Sequence, residues 1–325
     1  MAMNMPLPDW PLFGLTDDVR PQLRQAALAS QPMVLATLVA VEGGGPRPMG
    51  TQMVFARLGG EAGDIVAGYF SGGCVEADVA DHAFACLADG NPRHLVYGQG
   101  SPWPDIQLLC GARIEIFLDR ILPDDSALQA MLAAEQARQP VVWTSDGQRH
   151  VCTPPDQTET WEGAFSRRYD PKPRLVVFGS DPTALAIAWL GSQSGFETTF
   201  VRPRGPEAPP PVPGLGYCRD LPQAALDGLK PDAWTAIAIA THNLETDQAA
   251  LAAALPSGAG YVGLLGARKR LAERLAPLRA AGVSEDVLGR VHAPIGLDIG
   301  GKAPWEVAVS VIGEIMALRY GRGPG

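Results

Sequence analysis

Several features that would identify the structural class of a protein directly are scarce or missing from this sequence. The 325 residues include only five cysteines, and no CxxC pair or other Cys/His ligand spacing occurs. This pattern predicts free thiols, because structural zinc sites need closely spaced ligands and an odd, scattered set does not form a disulfide framework. The cysteines are Cys74, Cys86, Cys110, Cys152 and Cys218.

Long apolar runs and an excess of basic residues are also missing. No stretch approaches the roughly 18 apolar residues of a membrane-spanning helix, and residues 1–14 show no basic segment followed by an apolar core. The formal net charge of −9 opposes binding to nucleic acid. We therefore expect a soluble, cytoplasmic protein with neither a membrane segment nor a nucleic-acid partner.

What is present indicates two domains. The chain is longer than one small domain, and its 46% of apolar residues suffice for two cores. Short strands separated by glycine turns, with helical periodicity over 75–90 and 126–138, predict an N-terminal α+β domain over 1–152. Residues 153–173 are polar and flanked by prolines, which is typical of a linker.

Residues 174–325 have a different pattern. Apolar runs such as RLVVFGS and TAIAIATHN alternate with helical segments, which is typical of a parallel sheet covered on both faces. The predicted fold class is therefore α/β, with the N-terminal α+β domain followed by a Rossmann-like parallel-sheet domain.

The turn after the first strand of the second domain partly matches a dinucleotide fingerprint. Gly179 and Ala184 occupy the first and third positions of G-x-G-x-x-G/A, but Asp181 occupies the second. Its carboxylate adds bulk and negative charge where a pyrophosphate should approach. The next strand ends with Arg202, which favours a 2′-phosphate or another phosphate over a ribose hydroxyl. NAD(P) therefore stays a candidate cofactor, and an NAD(P)-dependent oxidoreductase an alternative function.

A cysteine between two glycines and a predicted helix is the main chemical feature of the first domain. Cys74 follows Gly72 and Gly73 in SGGCVEADV. Unpaired N–H groups at a helix start favour the thiolate, which binds metals or attacks sulfur, and the glycines leave room for a bulky ligand. The alternative is a small buried side chain that packs under the turn, and Glu76 opposes thiolate formation.

Two further candidates lie in the first domain. Cys110 ends an apolar run, where it either joins Cys74 in holding a metal or carrying sulfur, or packs in the core. Arg47 lies between two prolines in the loop that ends near Gly50. Its guanidinium fits a phosphate or a heterocycle carbonyl, and the alternative is a salt bridge that fixes the loop.

Polar turns in the second domain follow apolar strands, where open α/β sheets bind ligands. Thr241 and His242 follow one strand, and His242 either donates to a ligand or caps a helix. Gly266 and Arg268 follow the next strand and either hold an anion or simply begin a helix. Asp298 follows the last strand and is expected to complete the same crevice.

The motifs of both domains resemble those of the XdhC/CoxI family, accessory proteins of molybdenum hydroxylases such as xanthine dehydrogenase. The first domain contributes GGGPRPMGTQM, SGGCVEADV and LLCGARIEIFLDR to the resemblance. The second contributes THNLETD, YVGLLGARKR and PIGLDIGGKAPWEVAVSVIGEIMA. The resemblance extends from Pro32 to Arg319, with departures from the family pattern at Ala77, Ala112 and Asn243.

This resemblance implies a maturation factor rather than a turnover enzyme. It implies binding of the molybdenum cofactor, a pterin with a dithiolene and a phosphate, with its molybdenum end toward Cys74 and Cys110 and its phosphate toward the glycine turns. It also implies sulfuration with a cysteine desulfurase and delivery to an apo molybdenum hydroxylase. A thiol-redox or sulfur-carrying enzyme centred on Cys74 is a third hypothesis, and a homodimer is compatible with this role.

Overall fold

The chain divides into two units, Met1–Pro171 and Lys172–Gly325, in a computed structural model. The structure describes residues 7–45, 47–59, 63–99, 101, 108 and 111–322. Every helix within those residues is too short or too polar to cross a membrane. Cys110 lies outside the described residues.

Unit 1 is built on a five-stranded antiparallel sheet, and three α-helices occur among its described residues. Its strands are β1 (Met33–Glu42), β2 (Gln52–Arg57), β3 (Asp64–Gly68), β4 (Arg93–Tyr97) and β5 (Arg113–Ile121). The order across the sheet is β3-β2-β1-β5-β4. The helices are α1 (Arg20–Leu28), α2 (Glu76–Asp89) and α3 (Ser126–Gln136).

Both faces of this sheet are buried, which explains the long apolar run of β1. Successive side chains of a strand point to opposite faces. Val34 and Leu38 pack with Val79 of α2 in one core, whereas Leu35 packs with Leu128 of α3 in the other. The helices predicted over 75–90 and 126–138 are thus confirmed within one or two residues.

A second, three-stranded sheet corrects the interpretation of 153–173 as a linker. This segment contains a strand that pairs antiparallel with its neighbour from Val141↔Tyr169 to Ser145↔Phe165. Its side chains are held by polar contacts, since Arg167 and Tyr169 both donate to the Gln52 side-chain oxygen. Apolar periodicity does not detect such a strand. The strands are β6 (Val141–Ser145), β7 (His150–Thr153) and β8 (Phe165–Tyr169), in the order β7-β6-β8.

Unit 2 is a six-stranded parallel sheet flanked by helices. Its strands are β9 (Arg174–Gly179), β10 (Glu197–Val201), β11 (Gly216–Cys218), β12 (Thr235–Ala240), β13 (Tyr261–Leu264) and β14 (Val291–His292). Its helices are α4 (Pro182–Gln193), α5 (Pro222–Leu229), α6 (Leu244–Ala254), α7 (Leu271–Ala280), α8 (Glu285–Leu288) and α9 (Pro304–Arg319). The predicted fold class, an α+β domain followed by a Rossmann-like domain, is confirmed.

The strand order of unit 2 identifies where a ligand crevice is expected. The order is β11-β10-β9-β12-β13-β14, so the direction of strand addition reverses between β9 and β12. Open parallel sheets bind ligands beyond the carboxyl ends of their strands at such a reversal. The turns after β9, β12 and β13 all lie at this edge.

A buried carboxylate connects the two sheets of unit 1. Asp119 of β5 is 1% exposed and accepts a hydrogen bond from the Ser145 hydroxyl of β6 at 2.7 Å. Its second oxygen, Oδ2, has no hydrogen-bond partner among the described residues. Burial raises the pKa of Asp119 from 3.8 to about 6. The folded protein therefore holds this proton more tightly than the unfolded chain.

Replacing Asp119 by asparagine should increase the free energy of unfolding at neutral and alkaline pH. In the wild type this free energy decreases as the pH rises from about 4 to about 6, because only the folded state must give up a tightly held proton there. We expect Asp119→Asn to gain up to about 3 kcal/mol at about pH 8 and nothing at about pH 4, measured by urea titration.

Asp146→Asn is the matched control. Burial alone would raise the pKa of Asp146, but hydrogen bonds from the Arg149 and Gln148 backbone outweigh it and hold that pKa below its usual value. This substitution should therefore decrease the free energy of unfolding at about pH 8. An Asp119→Asn effect that is equal at both pH values would contradict the assignment.

Candidate functional site

Three connections of unit 1 leave its larger sheet at the same end. Met53 of β2 pairs with Gly68 of β3, and Glu42 of β1 pairs with Arg113 of β5. The loop after β1, the segment after β3 and the segment before β5 therefore lie at the same end of the strands. A Cβ on Gly43 would lie 3.5 Å from the carbonyl oxygen of Gly111, so the first and third of these connections touch. The predicted proximity of Cys110 to Cys74 stays a prediction.

The loop that carries Cys74 is organised by one buried carboxylate. Glu76 is 1% exposed and accepts hydrogen bonds from the backbone N–H groups of Phe70 at 2.9 Å, Ser71 at 2.6 Å and Gly73 at 3.0 Å. The Ser71 hydroxyl also donates to it at 2.7 Å. Burial alone would raise the Glu76 pKa, but the hydrogen bonds from Ser71 and Phe70 outweigh it and lower that pKa. Both oxygens of the Glu76 carboxylate thus accept hydrogen bonds that hold the loop.

Cys74 itself is exposed, which excludes the buried packing role considered for it. Its N–H group donates to the Ser71 hydroxyl at 3.0 Å. The preceding Gly72 and Gly73 have φ of +132° and +94°, and a Cβ on Gly73 would meet nothing within 4 Å. Backbone conformation, rather than lack of space, therefore requires glycine at Gly73. By contrast, Cys86 is buried in α2, as predicted.

Arg47 forms a salt bridge that fixes its loop, which is one of the two alternatives that the sequence left open for it. Its Nη2 atom pairs with the carboxylate of Asp17, a side chain that is 75% exposed. The end of the same loop is held at Gly50, whose φ is +86° and whose carbonyl oxygen accepts from Arg167 Nη1 at 2.6 Å. An anion that bound Arg47 Nη2 would have to displace the Asp17 carboxylate.

In unit 2, the aspartate that interrupts the fingerprint fills the place of a pyrophosphate. Asp181 Oδ1 accepts from the Ala184 N–H group at 2.8 Å at the start of α4, and its Oδ2 lies 2.9 Å from His242 Nε2. Gly179 is needed for packing, since a Cβ there would lie 2.1 Å from the Ala184 Cβ. Arg202 follows β10 and is half-buried. The first turn thus presents a carboxylate to any incoming phosphate.

His242 does not cap the following helix. Asn243 is the N-cap of α6, and its side chain accepts from the Thr246 N–H group at 2.9 Å. His242 has φ of +56° and a side chain that is 60% exposed. Its imidazole therefore lies at the carboxyl edge of the sheet, hydrogen-bonded to Asp181.

A buried ion pair ties the turn after β12 to the turn after β13. The Thr241 hydroxyl donates to Asp247 Oδ1 at 2.6 Å, and Arg274 Nε donates to Asp247 Oδ2 at 2.9 Å. A Cβ on Gly266 would lie 2.4 Å from Arg274 Nη1. Sequence reasoning missed Arg274, because it is one of several basic residues near the start of α7 and its partner is 27 positions away.

The segment after β14 is held by another buried carboxylate. Glu314 of α9 is 4% exposed and accepts from the Gly296 N–H group at 2.8 Å and from the Tyr261 hydroxyl. Burial alone would raise the Glu314 pKa, but hydrogen bonds from His292 and Tyr261 outweigh burial and lower that pKa. Asp298, two residues beyond Gly296, is exposed.

Six of the predicted residues lie at or just after the carboxyl ends of neighbouring strands, whereas Asp298 lies six residues beyond β14. The six are Gly179, Arg202, Thr241, His242, Gly266 and Arg268. A cavity of about 680 Å³ lies elsewhere, between the C-terminal parts of α6 and α7 and the helix α8, and contains none of them. Within the described residues, no group of three His, Cys, Asp or Glu side chains could hold a metal ion.

Iodoacetamide should modify Cys74 well before Cys86 in the native protein. Cys74 is exposed, whereas Cys86 is buried and its thiol pKa is raised mainly by burial, so less thiolate is available there. Timed alkylation followed by peptide mass spectrometry measures both rates. The difference should disappear in urea, and equal native rates would contradict the placement of Cys74.

Comparisons with known proteins agree with these motifs. A model described as the XdhC and CoxI family matches residues 26–98, and one described as the XdhC Rossmann domain matches residues 175–315. The molybdenum cofactor insertion chaperone PaoD of Escherichia coli is 31% identical over 312 residues, which cover 94% of this chain and 90% of that protein.

Two further relatives cover almost the whole chain. A probable xanthine dehydrogenase subunit of Bacillus subtilis is 28% identical over 88% of this chain and 93% of that protein. The crystal structure of a xanthine dehydrogenase from Bacillus halodurans is 25% identical with a TM-score of 0.73, over 94% of this chain and 96% of that chain. The resemblance drawn from the motifs is confirmed, and the chain belongs to the XdhC and CoxI family.

Proposed function

We propose that the protein binds the molybdenum cofactor and inserts it into a molybdenum hydroxylase such as xanthine dehydrogenase. The similarity to PaoD, whose name states that activity, supports this role over nearly the full chain. The observation that carries the proposal is the exposed thiol of Cys74 on a loop held from beneath by Glu76. The cofactor is cargo in this role, so the protein needs a site that receives it and then releases it.

The thiol of Cys74 suits the molybdenum end of the cofactor. Sulfur is a soft ligand, and one exposed thiolate on a fixed loop binds a metal without enclosing it. Cys110, Gly72 and Gly73 belong to the same proposed subsite, with Gly50 shaping the neighbouring loop and Arg47 available once Asp17 is displaced.

We propose the same thiol for sulfuration. The Cys74 thiolate would attack the outer sulfur of a persulfide on a cysteine desulfurase. The S–S bond of the donor breaks, its cysteine leaves as a thiolate, and Cys74 becomes the persulfide. No external oxidant or reductant is needed, because the sulfur moves together with its proton between two cysteines.

Unit 2 is proposed to bind a phosphate group of the cofactor at the carboxyl ends of its strands. Thr241, His242, Gly266, Arg268 and Asp298 belong to this subsite. Gly179 and Arg202 are proposed to border it, because the Asp181 carboxylate in the turn after Gly179 repels an anion. The same carboxylate argues against the alternative of an NAD(P)-dependent oxidoreductase, since a pyrophosphate would lie against it.

The proposal is tested by activating an apo molybdenum hydroxylase in the presence and absence of this protein. We expect the wild-type protein to raise hydroxylase activity and Cys74→Ser to lose about tenfold or more of that effect, because a hydroxyl neither accepts sulfur nor binds a soft metal. Cys218→Ser, at a half-buried cysteine of unit 2, is the matched control and should behave as wild type. No activation by the wild-type protein would sink the proposal, and full activation by Cys74→Ser would remove the thiol from it.

A further inference from the structure

Arg274 presents guanidinium nitrogens beneath the turn that follows β13. The side chain is 9% exposed, and its Nε atom donates to Asp247. Nη1 and Nη2 lie 2.4 Å and 3.1 Å from the position that a Cβ on Gly266 would occupy. Among the described residues, neither of these two atoms has a hydrogen-bond acceptor.

A purely structural ion pair does not account for this arrangement. An arginine that serves only its carboxylate usually forms a two-pronged pair, in which both carboxylate oxygens accept from the guanidinium. Here Asp247 divides its oxygens between Arg274 Nε and the Thr241 hydroxyl. The two Nη groups are left over as donors that Asp247 does not use. Asp247 therefore holds Arg274 through Nε, while Nη1 and Nη2 stay available to a ligand.

Gly266 keeps that face open. Its φ of +144° is a conformation that L side chains rarely adopt. A side chain there would also cover the Arg274 nitrogens, since its first carbon would already overlap with Nη1. The glycine thus removes the one side chain that would lie directly over the guanidinium.

The charge of this turn differs from that of its neighbours. The turn after β9 carries Asp181, and the first turn of α6 carries Glu245, whereas residues 265–270 read LGARKR and contain no acid. The exposed Glu273 just beyond them pairs with Arg270. Leu265 N donates to the carbonyl oxygen of Ile239 at 2.8 Å, so the turn lies at the carboxyl edge where ligands of parallel sheets bind.

We infer that Arg274 binds an oxyanion of the phosphate class at the Gly266 turn. Its Nη groups would donate to two oxygens of the anion, in the geometry that arginine prefers with phosphate. Only the identity of the natural ligand rests on the proposed function, which would supply the phosphate of the cofactor. The oxyanion site itself depends on the geometry of Arg274, Asp247 and Gly266.

The test is titration of the full chain with inorganic phosphate, followed by ³¹P NMR line broadening. We expect saturable binding by the wild type and a loss of affinity of about tenfold or more in Arg274→Lys, which keeps the charge and loses the planar fork. Arg279→Lys is the matched control, since Arg279 is on the same helix and pairs with the exposed Glu285. It should bind phosphate as the wild type does.

A second variant guards against loss of the fold. Asp247→Asn with Arg274→Gln removes both buried charges together, so neither is left unpaired. We expect it to keep a cooperative thermal transition and to lose phosphate binding. Wild-type affinity in both Arg274 variants, or no phosphate binding by the wild type, would overturn the inference.

The two proposals fail separately. Arg274-dependent phosphate binding by a protein that does not activate the hydroxylase keeps the oxyanion site and removes the proposed function. Activation of the hydroxylase, together with phosphate binding that is unchanged in the Arg274 variants, keeps the proposed function and removes the oxyanion site.

Discussion

The carboxylate of Glu76 determines how unit 1 presents the exposed thiol of Cys74. Four backbone N–H groups of the preceding loop, those of Phe70, Ser71, Gly73 and Val75, donate to it and so have an acceptor in a partly buried turn. Their convergence forces the chain through Gly72 and Gly73 at positive φ, and the next residue, Cys74, emerges exposed. The loop is therefore shaped by the Glu76 carboxylate, whereas the Cys74 side chain is exposed.

Unit 2 uses buried acids in the same way. Asp247 fixes the turn after β12 through Thr241 and positions Arg274, while Glu314 fixes the segment after β14 through the Gly296 N–H group. Burying a carboxylate is unfavourable unless several donors surround it, and each of these acids has at least two. The connections at the carboxyl ends of the strands are thus held by buried hydrogen bonds although they are loops, which favours binding of a ligand by groups already in place.

The sequence predicted most of the fold and part of the candidate site. Strands and helices such as β1 and α2 followed from apolar periodicity, and the glycine-flanked Cys74 followed from local pattern. Strand β8 was missed because polar contacts from Arg167 and Tyr169 to Gln52, more than 110 positions away, hold it in place. The pair of Asp181 and His242, and the role of Asp247 toward Arg274, were missed for the same reason: each partner is brought close only by the sheet.

The most direct test of the account is the pterin content of the protein itself. The chain should be purified from cells that synthesise molybdopterin and from matched cells that do not, and the bound pterin should be measured by fluorescence after oxidation. The account predicts a substantial fraction of one pterin per chain from the first cells and none from the second. Pterin no higher than in an unrelated protein purified from the same cells would contradict it.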